Sequence, residues 1–126
     1  MVPISPGELL DKITILRIKS TRIEDAGKLV NVRRELALLE QNWREALSTG
    51  AELAGEEAAL ERVNTELWDI EDRIREHEAQ RRFDAGFIEL ARAVYLRNDE
   101  RAAIKQRINL KLKSAIIEEK SYQPYR

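Results

Sequence analysis

The chain has no cysteine at all, only three prolines and five glycines, and few aromatic residues (6%) among its 126. The missing cysteines exclude a disulfide framework, a thiolate zinc site and a cysteine nucleophile together, and they fit a reducing compartment. Scarce glycine and proline leave few places to turn the chain, and no glycine-rich turn separates alternating strand-like runs. No run approaches the roughly 18 apolar residues of a membrane span, and the start, Met1 to Pro6, has neither the basic nor the apolar stretch of a secretion signal. We therefore expect a cytoplasmic protein with no membrane span.

Alanine, leucine, glutamate, lysine and arginine are plentiful. Charged residues reach 36%, against about a quarter in ordinary domains. That composition describes long helices with solvated outer faces. The net charge of −1 hides a segregation. Residues 11–34 carry +4, residues 35–78 carry −9 and residues 79–126 carry +5. An acidic middle between basic ends is expected to lie against them, within one chain or across a dimer, or else to form separate solvated faces.

Periodicity and capping signals divide the chain. Ser5-Pro6-Gly7-Glu8 is a capping box that opens a first helix, and its apolar stripe (Leu9, Leu10, Ile13, Ile15, Leu16, Ile18, Ile23) is wide enough for more than one neighbour. Asp25-Ala26-Gly27 opens a second helix, with a heptad-like seam from Leu29 to Leu47 through Trp43. Ser48-Thr49-Gly50 stops it, and residues 48–56 read as a loop. A third helix repeats the seam from Leu60 to His77 and is closed by Phe83; Asp84-Ala85-Gly86 opens a fourth. Its core positions read as Phe87, Leu90 or Ala91, Val94 and Tyr95, then Ile104, Ile108 and Leu112. A break is expected at Asn98-Asp99, and a docked or partly ordered tail over 114–126 around Ile116 and Ile117. The fold expected is all-α: one domain, an antiparallel bundle of about four helices built on a long helical hairpin over 29–77.

Candidate chemistry is sparse. Acidic pairs three apart, as magnesium-dependent helical pyrophosphatases use, occur at Glu8/Asp11, Glu66/Asp69 and Asp69/Asp72, but chance placement supplies about four such pairs at this acid content. A single histidine, His77, excludes a multi-histidine metal site and reads as a half-buried structural residue. Neither a metal nor a cofactor is expected, and no catalytic residue stands out. An anion could be held by the free amide of Gly7 at the start of the first helix with Lys12 one turn on. The row Arg97, Arg101 and Lys105, with Arg107 and Lys111 beside it, offers a second grip. Arg33, Arg34, Arg73, Arg75 and Arg101 could form a clamp of the kind dicarboxylate mutases use. The net acidity (pI near 6.0) and the placing of aromatics on core stripes argue against nucleic acid. Trp68, beside the third seam, is a candidate interface anchor, and a homodimer is expected, with a protein partner as a further option.

Several stretches together resemble a family of small bacterial proteins known only as a domain of unknown function. They are the run from Ser5 to Leu16 (SPGELLDKITIL), Asn31 to Leu36, Leu67 to Asp72, Asn98-Asp99, Ile108 to Leu110, and Glu118 to Tyr122. The resemblance covers nearly the whole chain and implies no activity, cofactor or catalytic residue; it leans toward an accessory role in bacterial surface-polysaccharide synthesis. The expectation is a non-catalytic interaction protein, with a small helical enzyme acting on a phosphorylated or carboxylated substrate as its rival. A contiguous apolar patch would favour the first. Four or more charged residues from different helices meeting in one cleft would favour the second strongly enough to displace it.

Overall fold

The computed structural model describes residues 5–47 and 52–121, with side chains as far as Lys113. Among the described residues the chain forms helices α1 (Pro6–Arg22), α2 (Ala26–Leu47), α3 (Ala54–Ala79) and α4 (Ala85–Ser121), and no strand. It is an all-α bundle.

The helix starts follow their capping chemistry. The Glu8 amide donates to Ser5 Oγ at 3.3 Å, with Pro6 in the first turn where a missing N–H costs nothing. The Glu8 carboxylate leaves the box and pairs with Lys105 instead. Both Asp-Ala-Gly sequences are N-caps: Asp25 accepts from the Lys28 amide at 2.9 Å and Asp84 from the Phe87 amide at 3.2 Å. Helix α3 begins at Ala54 without a side-chain cap, so Gly55 lies inside the helix and not in a loop; Ser48 to Gly50 lie outside the described residues. It ends at Ala79, before Phe83, in a turn where Arg81 takes a left-handed φ of 53° and the Arg82 amide donates to the His77 carbonyl.

Helix α4 corrects two expectations. It runs through Asn98-Asp99 without a break, because two residues of middling helix propensity do not outweigh the flanking turns packed on α1 and α3. It also continues past Lys113 to Ser121. The docking expected of Ile116 and Ile117, and residues 122–126, lie outside the described side chains or residues.

The shortest of these helices is the hub. Helix α1 packs against α2, α3 and α4, and eight of its seventeen residues are buried. The wide stripe therefore meets three neighbours. Among the described residues the backbone of α2 comes close to that of α1 alone, so the two heptad-like seams of 29–77 do not form the expected hairpin with each other. The long antiparallel pair is α3 with α4, matched by the ion pairs Arg97–Glu66 at 2.8 Å and Lys111–Glu56. A hydrophobic seam specifies that a helix packs, not on which partner; a broad apolar α1 takes both seams at once.

The core is Leu9, Leu10 and Ile13 of α1, Leu60, Val63 and Leu67 of α3, and Ile104, Ile108 and Leu112 of α4, closed at one end by Trp43 and Leu53. It occupies one end of the α3–α4 pair. From Trp68 to Ala103 no residue is buried, so this part of the pair projects as an arm with α4 contributing about 20 Å of its length from Ala85 to Arg97.

Charge segregation resolves within one chain. Arg17 of α1 reaches Glu40 of α2 at 3.0 Å and Glu57 of α3 at 3.1 Å, and Arg22 reaches Asp69 at 2.8 Å. The basic ends pair with the acidic middle.

Candidate functional site

Three places gather polar or apolar side chains in ways the core does not require. The first is where α1, α3 and α4 meet. Asp11 is 2% exposed, and a bare carboxylate there would be costly. Arg101 meets it in a fork, Nε donating to Oδ1 at 2.8 Å and Nη2 to Oδ2. Asn64 donates to Asp11 Oδ1 at 2.9 Å and to Thr14 Oγ1 at 2.8 Å, and Thr14 donates to the Asp11 carbonyl at 2.8 Å. Burial pushes Asp11 up, but the hydrogen bonds of Arg101 and Asn64 and the charges of Arg101 and Lys105 outweigh it and hold the carboxyl below its ordinary value. The Asp11 hydrogen bond raises Arg101 in turn.

This cluster takes in three of the residues proposed to hold an anion. The Gly7 amide donates to Asn109 Oδ1 at 2.7 Å, Arg101 is held by Asp11, and Lys105 pairs with Glu8 and lies 4.0 Å from Asp11. Arg97 lies a turn away, paired with Glu66 and Glu100, and Lys12 is on the exposed face of α1. Gly7, Arg97, Arg101 and Lys105 have protein acceptors. What the cluster does chemically is lock α1 to α3 and α4 in one register. The acidic pairs are occupied likewise, Asp69 by Arg22 and Asp72 by Arg75, and no three potential ligands are grouped to hold a metal ion among the described residues. The arginines of the imagined clamp are dispersed: Arg33 and Arg34 are exposed on α2, Arg75 and Arg101 are paired, and Arg73 faces elsewhere.

The second place is an open groove of about 580 Å³ between α3 and α4 in the arm, lined by Glu66, Asp69, Arg73, His77, Glu89 and Arg97 over an apolar floor of Ile70, Leu90 and Ala93. His77 is half-buried at its end. Its Nδ1 lies 2.9 Å from the Arg73 carbonyl oxygen, its Nε2 3.9 Å from Asp84, and its ring 6.3 Å from that of Phe87.

The third place is the outer face of α4, where Phe87, Ile88, Ala91, Arg92, Tyr95 and Leu96 border a shallow apolar depression of about 350 Å³. Ile88 is 57% exposed, Leu96 52% and Tyr95 68%; Tyr95, expected in the core, points outward. Helical spacing allowed either face, since the apolar residues of this segment ring the helix. Phe83, also exposed, stacks edge-on against Phe87 at 5.2 Å and extends the patch. Sequence reasoning missed this face, as it missed Asn64, Asn109 and the pairing of Asp11 with Arg101. The signal was present: residues 87–96 hold more apolar positions than one seam uses.

No curated protein and no solved structure matches this chain. A family model does, over residues 1–125, in line with the resemblance to a domain of unknown function: the chain belongs to the family of unknown function (DUF6165).

Proposed function

We propose that the protein is a non-catalytic interaction module whose working surface is the outer face of α4 in the arm. One observation carries this reading: a helical arm with no buried residue from Trp68 to Ala103 displays Ile88, Tyr95 and Leu96 side by side. Scattered exposed apolar residues are ordinary, but a contiguous group rimmed by charge is the usual signature of a contact surface. The exposed apolar residues of α2, Val30 and Leu38, are isolated among charges by comparison. The setting proposed is the bacterial cytoplasm, with an accessory role in surface-polysaccharide synthesis as the resemblance suggests.

The rival enzyme reading has the α3–α4 groove in its favour, since five charged side chains from two helices line it and so reach the count set for such a site. The count alone does not identify a ligand site, because ion pairs within the protein already take up Glu66, Asp69 and Arg97. Arg97 is paired with Glu66 and Asp69 with Arg22. A photoactivatable residue at Ile88, installed in the native host, should give cross-linked adducts that the same residue at exposed Arg33 does not. Adducts at Arg33 alone, or saturable binding of inorganic phosphate or succinate that is lost in Arg73→Ala, would overturn the proposal in favour of another surface or of the groove.

A further inference from the structure

Resting on that reading, we infer that the occupant of the α4 face is a second copy of the same helix, running antiparallel about a two-fold axis between Tyr95 and Leu96. The stripe of α4 opposite its core residues Ile104 and Ile108 consists of Ala85, Ile88, Arg92, Tyr95, Leu96, Asp99, Ala103 and Gln106, all exposed. At 3.6 residues per turn, Arg92 and Asp99 are two turns apart and fall nearly in line at the middle of that stripe. Among the described residues neither has an ion-pair partner, whereas their neighbours Arg97, Glu100 and Arg101 are all paired.

The register follows from charge. An axis at Asp99 would set Asp99 against its own copy, and an axis at Arg92 would set arginine against arginine; both arrangements are repulsive. An axis midway between them, at Tyr95/Leu96, sets Arg92 of each copy against Asp99 of the other. Two reciprocal ion pairs then bracket an apolar centre in which both copies of Tyr95 and Leu96 meet, with Ile88 facing the small Ala103. A patch that is its own complement under a two-fold is what an isologous dimer requires. Small residues at 85 and 103 let helices approach to the usual axial separation of about 8–10 Å.

Light scattering at tens of micromolar should give about twice the 14.6 kDa of one chain. Arg92→Glu and Asp99→Arg should each weaken the dimer at least tenfold, since each creates two like-charged pairs. The double variant Arg92→Glu/Asp99→Arg should restore it to within about threefold, because both pairs are inverted together. Both side chains are exposed, so circular dichroism should stay unchanged and separate folding from assembly. A monomer at 14.6 kDa, or single variants as dimeric as the wild type, or a double variant no better than the singles, would each overturn the inference. Cross-links from Ile88 to a protein of another mass in a monomeric chain would overturn the self-association while leaving the interaction-module reading in place.

Discussion

Arg101 closes on Asp11 with two guanidinium nitrogens across ninety positions of sequence, and this pair fixes where α4 sits against α1. The two ends differ in exposure: the Arg101 side chain keeps 29% of its surface in water, the Asp11 side chain 3%. Removing the arginine should therefore cost more than neutralising the acid, since it strands a buried carboxylate while the reverse leaves a guanidinium that can turn outward. Arg101→Met is expected to lose about 2–4 kcal/mol and Asp11→Asn about 1–2 kcal/mol, read from urea midpoints at constant slope.

The same carboxyl makes stability depend on pH. Because Asp11 is held below its ordinary value in the fold, the unfolded chain binds protons first as the solution is acidified. The stabilisation is fully present above the unfolded value, about 4, and is lost as pH falls through it toward the lower folded value. Asp84, lowered by the Phe87 amide, and Glu56, lowered by Lys111, act in the same direction. Stability measured from pH 6 down to 2 should fall, and Asp11→Asn should flatten part of that fall.

Gly7 is required by proximity. A Cβ there would stand 2.6 Å from the Lys105 carbonyl oxygen and 3.0 Å from Asn109 Oδ1. Gly7→Ala must push α1 and α4 apart or lose the amide bond to Asn109. A loss of about 1–3 kcal/mol is expected, although alanine is the better helix former; an unchanged melting temperature would contradict the close approach.

The two Asp-Ala-Gly caps offer a comparison of like with like. Asp25→Ala and Asp84→Ala should each cost about 1 kcal/mol of helix-end stability. Asp84 also lies near Arg82 and His77 at the tip of the arm, far from the core, so its loss should appear as faster amide exchange over 85–90 more than as a lower global midpoint.

Local chemistry was legible in the sequence, and partner choice was not. Ser5, Asp25 and Asp84 announced their helices because a cap depends on residues three apart. The apolar excess of α1 announced a helix with several neighbours. The seams of α2 and α3 looked alike, and nothing local says that α1 would satisfy both; that depends on which arrangement buries most surface overall. Asp11 was read as half of a carboxylate pair with Glu8, because its true partners, Arg101 and Asn64, lie 90 and 53 positions away. Tyr95 was placed inside for a related reason: an all-round apolar stretch carries no mark of which side meets its own chain and which side another.

The absence of cysteine allows the most direct test of the account's central claim, that the outer face of α4 is covered by a second copy. Leu96→Cys would place the only thiol of the chain beside the inferred axis, where two copies come within the Cα spacing of about 4.4–6.8 Å that a disulfide spans. Mild oxidation should convert this variant largely to a covalent dimer at low micromolar concentration, while Arg33→Cys on exposed α2 stays mostly monomeric. Equal, slow cross-linking of the two variants would contradict the account.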